Sequence, residues 1–207
     1  MQKYLVAILM CLFLFLTIGC KRQQVNPHSD VDSLLVHLEE GDLLFRRGTG
    51  FVGHVVTMAD TEGRYSHVGI VVCKDSVPYI VHAVPHEHDF EGDFDRVKIA
   101  PIERFFSGER ASAGAIAHSF IDDSTANAMS NQAIQYVKDS IRFDDSFNLD
   151  DSNELYCTEL IYKLYKKINT DITEGRRTKA GIFGFPDEII FPSDILKNKK
   201  LNIYFVY

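Results

Sequence analysis

Apolar and polar positions along the chain fall into several distinct patterns, each predicting a different element. A single basic residue, Lys3, precedes an apolar run from Tyr4 to Ile18, which ends in small Gly19 before Cys20. A basic start, an apolar middle and a small-residue exit are the anatomy of an export signal. The run of about 15 residues is shorter than the roughly 18 to 20 needed to span a bilayer as a helix, and polar Lys21-Arg22-Gln23-Gln24 follows at once. Residues 1–19 are expected to be a removable signal, 20–34 a polar tether and 35–207 a single domain. An uncleaved short anchor is the alternative.

Beyond the tether, Gly41-Asp42 turns the chain into the apolar strand Leu43-Leu44-Phe45, and Val52 to Ala59 reads as helical or irregular. Ser66–Val72 and Tyr79–Val84 are short, β-branched runs separated by a hairpin-like loop over 73–78, so they are expected to pair as antiparallel neighbours. His86 to Asp95 is a polar, acidic connection. Val97–Ile99 and Ala115–His118 are further strands, with a short helix over Pro101–Phe106.

A longer helix is expected from Ser124 to about Asp139, with Ala128, Ala133, Ile134 and Val137 as its apolar stripe. Leu155 to Ile168 places Cys157, Leu160, Ile161, Leu164, Tyr165 and Ile168 on one helical face. Asp151-Ser152-Asn153-Glu154 has the spacing of a capping box before it. Thr170 to Gly184 reads as a polar loop able to cover a site. Ile189–Phe191 and Ile203–Tyr207 are expected to finish the sheet, with a helical turn at Pro192-Ser193-Asp194 between them. The pattern describes one α+β domain built on an antiparallel sheet or small barrel.

Composition narrows the function. With 207 residues, 45% hydrophobic and 25% charged, the chain has the make-up of a folded domain with a core of its own. Its net charge of −7 and lack of Lys/Arg blocks leave no footprint for nucleic acid. Four cysteines, at 11, 20, 73 and 157, could form two bridges, so their surroundings decide their roles. Thr17-Ile18-Gly19-Cys20 resembles a bacterial lipobox. That resemblance implies that Cys11 leaves with the signal and that Cys20 becomes a lipidated first residue, placing the chain on a membrane of the cell envelope. Cys73, at a strand end, reads as a bystander.

Cys157 lies in the first turns of its predicted helix, where free N–H groups and the positive helix end favour a thiolate. Taken alone, a cysteine on an apolar face is as well read as a small core residue. Two histidines change the balance. His67 opens one strand of the predicted hairpin and His82 lies in the next, which puts them near the same end and within reach of each other. Together with Cys157 they make a nucleophile, a base and an orienting group. Gly69 suits a close backbone approach, such as that of the helix carrying the thiol.

Gly41-Asp42-Leu43-Leu44-Phe45, Tyr65-Ser66-His67-Val68-Gly69-Ile70, Tyr79-Ile80-Val81-His82-Ala83 and Glu154-Leu155-Tyr156-Cys157-Thr158-Glu159-Leu160-Ile161-Tyr162 together resemble the YaeF/YiiX group of circularly permuted NlpC/P60 papain-like cysteine hydrolases. The histidine segment precedes the cysteine segment, as the permuted order requires. The resemblance implies Cys157 as nucleophile, His67 as general base and His82 as the third, orienting member. It is shared with the lecithin:retinol acyltransferase and HRAS-like suppressor phospholipase families, which act on acyl groups.

The implied chemistry is acyl transfer through a thioester, with no cofactor or metal. The expected substrate is an amide in the envelope, either a cell-wall peptide or an N-acyl amide. A lipid acyl bond, or a non-catalytic groove for lipid or peptide, is the alternative. Tyr65, Tyr156 and Glu159 flank the three residues and are candidates for shaping the substrate cleft.

Two further clusters contain side chains able to ligate an ion. His86 and His88 with a carboxylate could hold zinc, but Pro85 prevents the helical His-Glu-x-x-His geometry. A loop at the cleft rim is the plainer reading. Asp144, Asp145, Asp150 and Asp151 with Asn148 and Asn153 superficially suggest calcium, but the glycine and glutamate positions of an EF-hand are missing. A solvated acidic loop is expected there. Oligomeric state is not encoded in any of these patterns.

Overall fold

Runs of consecutive buried residues along the short strands assemble an antiparallel sheet with two covered faces. A computed structural model describes residues 37–149, 153–179 and 186–206. The expected signal, Cys11, Cys20, the whole tether segment, Asp150, Asp151 and residues 180–184 of the polar loop lie outside the described residues. Among the described residues no helix is long and apolar enough to cross a membrane.

The strands are β1 (Leu43–Gly48), β2 (His67–Lys74), β3 (Val77–Val84), β4 (Arg96–Pro101), β5 (Ala111–His118) and β6 (Asn202–Val206). They form one open sheet in the order β4-β3-β2-β1-β5-β6. The helices are α1 (Phe51–Ala59), α2 (Ile102–Phe105), α3 (Asp123–Lys138), α4 (Cys157–Lys167) and α5 (Pro192–Leu196).

Successive side chains of β1 and β2 point to opposite faces, and both faces are dry. Phe45, Val68, Ile70 and Val81 pack against Leu160, Ile161, Leu164 and Tyr165 of α4 and Met129 of α3. Leu44, Val71, Ile80 and Ile116 pack on the other face against Ile102 and Phe105 of α2 and Phe106. Burial on both sides is why β2 reads as an unbroken apolar run.

Several expected boundaries move, each for a local reason. The β2–β3 hairpin turns on Asp75 and Ser76 alone, both with positive φ, and Cys73 and Pro78 are paired residues. This is a two-residue turn whose twist suits adjacent strands. β5 begins at Ala111, because pairing with β1 extends through a weak Ala-Ser-Ala-Gly segment. The buried face of α3 is Ala126, Met129, Ser130 and Ala133, and Ala128 is exposed. Asp122 caps this helix by accepting from Thr125 N at 2.9 Å. Ile189 does not enter the sheet; it forms an isolated bridge with Thr178. In the polar loop, Arg176 donates to Asp194 O and Asn198 donates to Ile172 O, which ties the loop to α5 and the residues after it.

Candidate active site

The helix bearing the cysteine starts two residues later than the sequence pattern predicts, and the delay sharpens the site. Tyr156 is extended and Cys157 is the first residue of α4. The cap comes from within the helix, since Tyr156 N donates to the Glu159 carboxylate at 3.3 Å. Glu154 instead belongs to a bridge with Arg142. The Cys157 sulfur therefore sits among N–H groups that have no helical partner, and those of Cys157 and Thr158 both point to it.

β2 and β3 part where the histidines lie. Their ladder ends at the Ile70–Val81 pair, so His67 and Val68 are beyond its reach. The Val68 N–H donates to the Cys157 sulfur, which places the thiol one residue along the strand from His67. His67 and His82 project onto the face covered by α2, where both rings lie against Phe105, with centroids 5.7 and 5.5 Å away. Nε2 of His67 is 2.8 Å from Nδ1 of His82. Gly69 serves this geometry, though not by admitting the helix. A β-carbon there would sit 2.6 Å from the Ile80 side chain and 2.8 Å from the Val81 carbonyl, so the close approach is that of β3.

A buried guanidinium completes the surroundings. Arg46 of β1 is the register partner of His67 and is only 3% exposed. Nη1 donates to Phe105 O at 3.0 Å, Nη2 is paired with Glu87, and the guanidinium carbon lies 4.6 Å from the centre of the Phe105 ring. Glu87 also accepts from Arg110 Nε at 3.0 Å. Behind His82, its register partner Lys98 is paired with Asp93 at 2.6 Å, and Arg104 meets Asp89 at 2.6 Å. The acidic connection is thus a set of counter-ions for cations under the histidines. A cleft of about 410 Å3 opens beside them, lined by Arg46, His67, Glu87, Arg110 and Phe51 among others.

Electrostatics fix the resting protonation. Burial first, and Arg46 next, hold His67 well below the ordinary histidine value. Burial and the cations Arg46, Lys98, Arg104 and Arg110 do the same to His82. For Cys157, burial outweighs the three N–H donors and Arg46 and pushes the thiol up to about 11. The helix end does not produce a standing thiolate, contrary to the expectation from sequence. At neutral pH the site holds a thiol and two neutral imidazoles. Cys73 is also pushed up to about 11, by burial and then by Glu40 and Asp42.

None of the three residues expected from sequence to shape the cleft is among those lining the cleft beside His67. Tyr65, Tyr156 and Glu159 are all buried. Tyr65 donates to Gly114 O at 3.4 Å, and the Tyr156 hydroxyl accepts from Ile190 N at 3.4 Å. Their flanking positions place them beneath the site because strand and helix ends are where large side chains close the core. Arg46 and Glu87 were missed, since a charge in a strand next to Arg47 looks solvent-facing until the register is known.

The ion-site readings resolve differently. His86 and His88 both meet Asp95, at 3.6 and 3.1 Å. Among the described residues no group of three such side chains is arranged to hold a metal ion. Asp144 is buried rather than solvated, and its carboxylate accepts from Ser146 N, Ser146 Oγ and Asn148 N.

Comparison with known proteins agrees with this architecture. No curated protein matches the chain. A solved structure titled as that of metalloprotein yiiX from Escherichia coli O157:H7 superimposes with a TM-score of 0.66 at 16% identity, covering 82% of this chain and 97% of that one. It shares the fold. Residues 37–203 match the family described as permuted papain-like amidase enzyme, YaeF/YiiX, C92 family. With its histidine strands preceding its cysteine helix, the chain belongs to these permuted papain-like amidases and is a cysteine hydrolase acting on amides.

Proposed function

We propose that the chain is a membrane-tethered hydrolase of the cell envelope that cleaves an amide bond in a cell-wall peptide or N-acyl amide, with Cys157 as nucleophile, His67 as base and His82 as the group that orients it. One observation carries the reading. His67 is held by His82 at 2.8 Å while the next residue, Val68, binds the Cys157 sulfur.

The pairing also assigns protons. His67 can accept from the thiol only through Nδ1, since Nε2 is engaged with His82. Neutral His67 then carries its proton on Nε2 and donates to His82 Nδ1. As the sulfur attacks the amide carbon, its proton passes to His67 Nδ1, and the N–H groups at the start of α4 face the developing oxyanion. Imidazolium returns the proton to the leaving nitrogen, the C–N bond breaks and a thioester remains. Water then gives a proton to His67 and attacks the thioester, and the thiol is restored with release of the acid.

The test begins with the thiols. Iodoacetamide is expected to modify Cys157 at least about tenfold faster than Cys73 at pH 7, because the proposed mechanism gives a base to Cys157 alone, and His67→Ala should remove the difference. Equal rates would sink the hydrolase reading and leave a binding groove. Incubation with peptidoglycan fragments, N-acyl amides and phospholipids, followed by mass spectrometry, separates the substrates. A second reading has support of its own. Phe51 and Met58 of α1 are 84% and 74% exposed, and Phe51 borders the cleft. Turnover of phospholipid without any amide would replace the amide reading with a lipid acyl hydrolase or transferase.

Membrane attachment through Cys20 is tested separately. A Cys20→Ser chain is expected to stay unprocessed or become soluble on cell fractionation, and normal processing and attachment would refute the tether.

A further inference from the structure

We propose that Arg46 is a positioning residue of this site, a fixed buried cation that braces Phe105 beneath both imidazoles and sets the proton affinity of the Cys157–His67–His82 group. The inference rests on the catalytic reading above. Four observations carry it.

Arg46 stands opposite His67 in the β1–β2 register and is almost completely removed from water. Its guanidinium is held on two sides, by Phe105 O and by Glu87, and it lies over the Phe105 ring. That same ring touches His67 and His82. Finally, the Arg46 Nε is buried without a hydrogen-bond partner among the described residues. Leaving such a donor unmatched costs stability, so core packing alone gives no reason for a guanidinium here.

The effect on the site has a definite sign. A nearby positive charge stabilises whichever state carries fewer protons, so it lowers the proton affinity of imidazole and thiol alike. The direction holds for the group as a coupled unit, whichever atom releases the proton. Other charges facing the imidazoles are Lys98 on β4, Arg104 on α2 and Arg110 before β5. These are met by Asp93, Asp89 and Glu87 from the connection, while the thiol comes from α4. Arg46 is the cation common to His67, His82 and Cys157. Glu87 partly offsets it and is therefore the counterweight.

Iodoacetamide labelling of Cys157 across a pH series, read by peptide mass spectrometry on the purified chain, tests the inference without a known substrate. In Arg46→Met the pH midpoint of Cys157 labelling should rise by about one unit. Arg46→Lys keeps the charge, so its midpoint should stay near that of the wild type even if the rate falls. Glu87→Gln unmasks the cation, and its midpoint should drop. That opposite shift carries the test should Arg46→Met fail to fold. A reactive Cys157 whose midpoint is unmoved in Arg46→Met and Glu87→Gln would overturn this inference while leaving the hydrolase reading intact. Wild-type Cys157 labelling no faster than Cys73 would overturn both.

Discussion

Cys157→Ser and His67→Ala are each expected to lower amide turnover by about 10^3-fold or more, and the double variant to be little worse than either alone. The size follows from the resting state. Because burial holds the thiol up to about 11, the proposed mechanism forms the nucleophile only as its proton moves to His67. Serine is a far weaker nucleophile at the same position, and alanine at 67 leaves no base. The two losses should overlap because the proposed mechanism joins the residues in one proton transfer. His82 is expected to behave differently. His82→Gln retains an acceptor for the His67 Nε2 proton and should cost less than His82→Ala. The measurement is kcat/KM for amine release from the active amide, with urea unfolding of each variant as a control on folding. Additive losses in the double variant, or near-normal turnover by His67→Ala, would show that the thiol is activated by some other group.

Glu159→Gln is expected to change how stability depends on pH rather than to abolish turnover. The Glu159 side chain is buried under α4, paired with Lys163 at 2.7 Å and accepting from Tyr156 N. Burial nevertheless prevails, and its carboxyl is pushed up to about 7 from 4.5. A folded-state value raised above that of the unfolded chain favours the protonated form. The stability this supplies is fully present below about pH 4.5 and is lost as pH rises through about 7. At roughly 1.4 kcal/mol per pH unit, the linkage is of order 3 kcal/mol. Glutamine mimics the protonated acid at every pH. Relative to Glu159→Gln, the wild type should therefore lose of order 3 kcal/mol between pH 4.5 and 8 in urea titrations. A wild type that gains on the variant as pH rises would mean that the Lys163 pair outweighs burial.

Position 159 also shows how far linear sequence reaches. A glutamate two residues after the cysteine is close to the site in any helix, yet whether it faces substrate or core depends on where the helix begins. Capping by Glu159 itself turned it inward. Tyr65 and Tyr156 repeat the lesson, since adjacency along the chain put them under the site rather than in the cleft.

Sequence alone was enough for the strands that carry the histidines, the helix that carries the cysteine and their permuted order, because each element depends on local periodicity of apolar residues. It was also enough to bring His67 near His82, since a tight hairpin leaves little freedom in register. Tertiary structure alone decided three things. It ended the pairing of the two strands at Ile70 and Val81, which leaves the Val68 N–H to the Cys157 sulfur while the imidazoles lie on the opposite face. It buried Arg46 against Phe105 with Glu87 brought from a distant loop. It also reversed the expected charge state of Cys157. The physical reason is common to all three. Desolvation and field depend on which groups surround an atom from every side, and no spacing along a single segment records that.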